Sequence, residues 1–383
     1  MSRDETSVIS LTGPDSHRLV RSPGVGVVVI GPAGTTPRPD LVVAAGDAID
    51  WSVFDPFTVP AGYPWPRRIV YEGDDTGFFG WARRRPIETF DWRPRAAHAV
   101  DASAAQIGHL GITLRDAPLR LTVPSAPHGS LSVTGDLGLL TAAPADGDAC
   151  PRLAFAPDTL PSPDAAPLRL PDLPAFAGAH SVDVTVRPLR QPFDCASLLQ
   201  FPEVRSVALA GQLAGVDALA RLRHLTALQL RYCPDLAGLP ALHDWPDLTH
   251  LIAFNVEDAT GRRLRGELRR SGRQWRHSSV SQLRGPEWFA TEYGLPFSAW
   301  QGRKAKAAVT AYRAAERDIA AATAPAAVEA AVRAFVGVIN AMPGIETPDR
   351  EDAGEAVFQL TAATPFGDLT EAALKWFDDA RDF

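Results

Sequence analysis

Leu225-Thr-Ala-Leu228-Gln-Leu230-Arg-Tyr-Cys233-Pro-Asp-Leu236 is the most regular stretch of this 383-residue chain. Leu228 and Leu230 alternate with polar or small residues, the period of a strand with one buried face. The same apolar-x-apolar unit recurs at Val182/Val184, Val207/Leu209 and Leu251/Ala253, so successive units start 25, 21 and 23 residues apart. Toward the N-terminus the recurrence is looser, at Ile112/Leu114, Leu131/Val133, Leu153/Phe155 and Leu168/Leu170. A period of twenty-odd residues belongs to stacked units that cannot bury a core alone.

Residues 225–236 resemble the leucine-rich repeat, whose pattern is L-x-x-L-x-L-x-x-N/C-x-L. The steps Leu219-x-x-Leu222 and Leu239-x-x-Leu242 resemble it as well. The resemblance is good over residues 179–256, loose over 105–178 and absent elsewhere. It departs from the pattern at Gln212 and Val256, where Asn or Cys is usual. It implies an α/β (α+β) fold, an irregular leucine-rich-repeat solenoid that binds a macromolecule on its concave face. It also implies that Cys233 is a buried structural cysteine at a turn.

Composition divides the chain into three parts: 1–104, 105–280 and 281–383. In the first, eleven aromatic residues fall between Trp51 and Trp92, and prolines at 56, 60, 64, 66 and 86 forbid a long helix. Short strands are expected at Val25–Ile30, Leu41–Ala45 and Arg68–Tyr71. The aromatics form either a packed core of strands and turns or a binding groove. In the second part, thirteen prolines between Pro118 and Pro192 predict irregular rather than helical returns between strands. The repeats should close on a helix at Asp258–Arg270. The third part reads as a helical bundle capping the array, with helices at Lys304–Ala322, Pro325–Asn340, Asp349–Leu360 and Asp368–Ala380.

The usual catalytic motifs are missing. There is no G-x-S-x-G and no H-E-x-x-H, and no lysine precedes Lys304, which excludes a P-loop lysine over most of the chain. Gly24-Val-Gly26 lacks the third glycine of a dinucleotide loop, since Val29 stands there. Glu72, Asp74 and Asp75 read as a turn without calcium-loop spacing. His224, His243 and His250 lack a completing carboxylate pattern for a metal. No catalytic residue, metal or cofactor is therefore assigned. Three cysteines without a C-x-x-C argue for a reducing compartment. Residues 1–10 show no apolar run, and no stretch approaches a membrane span. A cytoplasmic protein is expected. The scarcity of lysine beside arginine and alanine reads as codon bias in a GC-rich, bacterial genome.

Alternation predicts the exposed strand positions. Asp183, Gln229, Arg231, His250, Ile252 and Phe254 are the candidate partner-binding residues. The large apolar pair Ile252 and Phe254 is either covered by the helical end or part of a partner hot spot. A second candidate is an anion or acidic-partner patch of Arg262, Arg265, Arg269, Arg273 and Arg276, which share roughly one face of a helix. The leading expectation is a non-enzymatic protein-interaction scaffold, of which a protective or immunity-type protein is one form. The alternatives are an enzyme or small-molecule site in the aromatic and arginine-rich N-terminal region, and nucleic-acid or acidic-partner binding through Arg262–Arg276. The net charge of −7 argues against a nucleic-acid coat. That whole charge sits in residues 346–383, so an acidic helical end pairing with an arginine face is also expected.

Overall fold

The structure, a computed structural model, describes residues 4–382 apart from 23, 60, 124–128, 144–149, 161–164, 188, 190 and 363. The chain forms two compact units, Met1–Arg284 and Gly285–Phe383.

The first unit opens with a hairpin of β1 (Glu5–Ile9) and β2 (His17–Arg21). Then follow β3 (Val27–Gly31), β4 (Leu41–Val42), β5 (Arg68–Glu72), α1 (Gly77–Trp81), β6 (Ile87–Arg93), β7 (His98–Asp101), β8 (Ile107–Leu114) and β9 (Leu119–Thr122). After them come β10 (Ser130–Gly135), β11 (Leu140–Ala143), β12 (Arg152–Pro157), β13 (Ser181–Thr185), β14 (Phe193–Asp194), β15 (Ser206–Ala210) and β16 (Leu213–Ala214). The unit ends with β17 (Ala227–Arg231), β18 (His250–Phe254), α2 (Asp258–Arg270) and β19 (His277–Ser281).

Twelve of these strands make one sheet in the order β4-β3-β5-β6-β8-β10-β12-β13-β15-β17-β18-β19. From β3 onward the order follows the chain, and neighbouring strands run parallel. Parallel neighbours require a crossover between them. Here the crossovers carry a second parallel sheet, β7-β9-β11, then the pair β14-β16 and single turns of 3-10 helix. Aspartates start two of these turns: Asp136 accepts from Gly138 N and Asp194 from Ala196 N, each at 2.9 Å.

Register explains the core. One inward row runs Val28, Ile69, Phe90, Leu110, Leu131, Leu153, Val182, Val207, Leu228, Leu251. The other runs Ile30, Tyr71, Trp92, Ile112, Val133, Phe155, Val184, Leu209, Leu230, Ala253. All of these side chains are buried. Leu168/Leu170 breaks the expected pattern: Leu168 bridges Phe193 on the crossover side rather than joining the main sheet. The repeat there is one long rung, not two short ones. Of the prolines expected to shape the returns, Pro124, Pro127, Pro144, Pro161, Pro163 and Pro188 lie outside the described residues.

The sheet also crosses the composition boundary at 104/105, because β6 pairs with β8 across it. Phe90 is 21 residues after Ile69, and Leu110 is 20 after Phe90, so the period extends into the aromatic region. The aromatics pack as a core. Phe78 stacks on Phe90 at 4.0 Å and Trp51 on Trp81 at 6.0 Å. Each buried indole N–H has an acceptor: Trp51 on Asp75, Trp81 on Asp55, Trp92 on Gly73 O and Trp65 on Val25 O. The buried Arg85 lies over Trp81 and donates to Trp65 O at 2.6 Å.

The second unit holds α3 (Pro286–Thr291), α4 (Gly302–Ala320), α5 (Pro325–Asn340), α6 (Thr347–Thr361) and α7 (Thr370–Ala380). Val328, Val332, Phe335, Val336 and Ile339 form the buried stripe of α5, at the spacing the sequence showed. Part of the acidic end is neutralised within this unit. Lys304 pairs with Asp349, Arg333 with Asp379 and Arg381 with Asp378. No helix among the described residues is long and apolar enough to cross a membrane.

The turn leaving each late strand enters the left-handed region, at Gly211 (φ +114°), Tyr232 (+55°), Asn255 (+51°) and Gln282 (+53°). A Cβ on Gly211 would meet Val186 O at 2.1 Å. Gly211→Ala should therefore cost more than about 1 kcal/mol. Gly46→Ala, where a Cβ meets nothing within 4 Å, should leave the urea unfolding midpoint near wild type.

Candidate functional site

Strand residues that point away from the core line the other face of the main sheet. Along its middle row stand Val29, Val70, Asp91, Gly111, Ser132, Ala154, Asp183, Ala208, Gln229, Ile252 and Ser279. The six predicted partner-binding residues all fall on this face. Gln229 lies beside Ile252, Arg231 beside Phe254, and His250 between Ala227 and His277. Asp183 is two rungs from Gln229. Ile252 and Phe254 are half-buried rather than fully exposed.

The C-terminal end of this face gathers rings and cations. The Arg231 guanidinium is 6.0 Å from the Phe254 ring, Tyr232 meets Phe254 edge-on at 5.9 Å, and Arg187 lies 4.5 Å over Tyr232. His250 and His277 stack at 4.9 Å. Sequence alternation missed Tyr232 because it follows the strand in the left-handed turn, where parity no longer predicts direction. An aromatic at a turn position was the available signal. Arg187 escaped because it lies past the end of β13, and His277 because β19 carries no apolar pair.

Further along, the same face holds a polar group that the motif search did not find. His109 Nδ1 lies 2.6 Å from Ser130 Oγ and its Nε2 3.2 Å from Ser132 Oγ. Asp91 pairs with Arg68 at 2.7 Å. These residues belong to different rungs, so no linear motif joins them.

The arginine patch does not form as expected. Helix α2 ends at Arg270, so Arg273 and Arg276 leave its face. Arg273 donates to the carbonyls of Trp245 and Leu248, Arg265 to Val280 O, and Arg262 pairs with Asp258. Arg273 thereby satisfies carbonyls of the turn before β18, and Arg265 one on β19. Arg269 and Arg276 are exposed.

The acidic turn is structural. Asp74 accepts from the amides of Arg95 and Ala96 and lies 3.1 Å from His98, while Asp75 holds Trp51 and the Gly77 amide. Among the described residues no cluster of three or more His, Cys, Asp or Glu is placed to hold a metal. Cys233 is buried, with its thiol 3.3 Å from Arg231 O, and burial pushes that thiol up to about 12. Burial raises the Cys195 thiol as well. Neither is poised as a nucleophile.

The aromatic core leaves a cleft at the N-terminal ends of β6 and β8, of about 1080 Å³. Tyr63, Pro64, Pro86 and Ile107 supply apolar walls, and the Arg67–Glu88 ion pair stands among them at 2.6 Å. Tyr63 is 65% exposed. Comparison with family models, with curated proteins and with solved structures returned no match to this chain.

Burial raises the carboxyl of Asp183 above the usual range, with the nearby Arg152 offsetting part of that. The folded state then holds its proton to higher pH than the unfolded state. Asp183 thus costs stability as pH rises from its unfolded value, about 3.9, through its raised folded value. Asp183→Asn should raise the melting temperature at pH 7 and leave it nearly unchanged at pH 3. An equal rise at both values would mean that the gain is not electrostatic.

Proposed function

We propose that the chain is a protein-binding scaffold of leucine-rich-repeat type, a solenoid whose partner lies across the open face of the main sheet. It acts in the cytoplasm of a bacterial cell. One observation carries this reading: Arg187, Tyr232, Phe254 and Arg231 converge at one end of a face whose middle row from Asp91 to Gln229 is small or polar. Aromatic and arginine anchors surrounded by neutral contacts are the usual composition of a binding hot spot. The chain-order parallel sheet supports the solenoid, since each rung can bury its apolar face only against its neighbours. The protective role is one form of the same reading.

A photo-crosslinking side chain at Gln229 should capture a discrete adduct in the cells that express the protein. The same group at Asp217, exposed on the opposite side in the turn Val216–Arg221, should not. Arg231→Ala with Phe254→Ala should abolish the Gln229 adduct. Equal capture at both positions would overturn the assignment of the face.

A second reading is favoured by the cleft beside Tyr63, whose size suits a small apolar ligand. The probe 8-anilinonaphthalene-1-sulfonate should bind the folded protein and lose affinity about tenfold in Tyr63→Ala, the loss of one good ring contact. Absence of any fluorescence gain with the wild type would refute a ligand cleft.

A further inference from the structure

His109 lies on β8 between two hydroxyls of β10, one on each ring nitrogen. A neutral imidazole has one N–H and one bare nitrogen, so one serine accepts while the other donates. We propose that Ser132 is a nucleophile, that His109 Nε2 is its general base, and that Ser130 is a positioning residue accepting from Nδ1–H. The class of substrate is a small carboxylic ester with an anionic end.

The surroundings of Ser132 carry the assignment beyond a hydrogen-bonded ladder. Its register neighbours along the row are Gly111 and Ala154, so no side chain longer than a methyl group flanks the hydroxyl there. Gly111 is required: a Cβ on it would stand 2.3 Å from Asp91 Oδ1 and 3.3 Å from Ser132 Oγ. The Asp91 carboxylate therefore leans over the glycine toward Ser132, held by Arg68. On the other side, Arg152 is the register partner of Ser130. An ester lying over Ala154 then has its carbonyl beside Ser132 and its anionic end toward Arg152, where it competes with Asp183, the register partner of Ala154.

Ser132 Oγ attacks the carbonyl carbon while its proton passes to His109 Nε2. The carbon–oxygen bond to the alcohol breaks, and His109 returns the proton to the departing oxygen. Water then adds to the acyl-serine, with His109 taking and giving back one proton, and releases the carboxylic acid.

The test uses the full chain, a fluorophosphonate probe and mono-p-nitrophenyl succinate. The probe should form one adduct, mapped to Ser132 by peptide mass spectrometry and absent from Ser132→Ala. His109→Gln, which keeps a hydrogen-bonding side chain, should slow labelling and ester hydrolysis by about 100-fold or more. Ser130→Ala should lower kcat and Ser130→Thr, which keeps the hydroxyl on Nδ1, should restore it, a pattern that loss of folded protein alone would not follow. Each variant is first matched to wild type by thermal melting. No adduct at Ser132 in the folded wild type, or labelling as fast in His109→Gln, would overturn the proposal. Neither result bears on the partner-binding reading, which rests on Arg187 and on β17 and β18.

Discussion

Everything in the first unit depends on two parallel rows of apolar side chains that run through the sheet from Val28 to Leu251 and from Ile30 to Ala253. A slip of one residue in any strand would turn both rows outward and bring polar residues into the core. The register is therefore held by the hydrophobic effect itself, and the outer face inherits it. Gln229 lies beside Ile252 only because Leu228 lies beside Leu251. Placement of the candidate partner-binding residues thus follows from burial on the other side of the same strands.

The turns do the remaining work. Left-handed residues after β15, β17, β18 and β19 send the chain away from the sheet at the same point of each rung. Their amides continue the ladder: Gly211 N donates to Arg231 O and Tyr232 N to Phe254 O. The cost of holding Tyr232 in that region places its ring against Phe254 and under Arg187. Backbone geometry, more than side-chain pattern, builds the aromatic end of the face.

This explains what could be read from sequence and what could not. The strands at 182–184, 207–209, 228–230 and 251–253 were legible because their alternation is clean and their spacing even. Helices α4 to α7 of the second unit were legible, α5 from Pro325 and its apolar stripe, whereas α3 was not. The strand at Ile69 was expected, but its place in the period, and the strand at Phe90, were hidden, because the long excursion between β3 and β5 interrupts the period and fills it with rings. Leu168/Leu170 imitated a rung because an inward-facing crossover shows the same alternation as an inward-facing strand. The arginine patch misled because periodicity was extended past Arg270, where the helix stops. His109, Ser130 and Ser132 could not be joined without knowing which rungs are neighbours.

A parallel stack has no intrinsic length, and its last strand is a template for another chain. Here the two ends stop growth by different means. At one edge β4 is two residues long, and the ring of His17 takes up the carbonyl of Val42 at 2.8 Å. At the other, β19 puts Ser278 in the row where Leu251 stands one rung earlier, and that serine is exposed. A strand added there would have a hydroxyl to cover and little oil to bury. The row of leucines thus carries its own terminator, and a parallel sheet laid down in chain order offers a further strand little at its last edge.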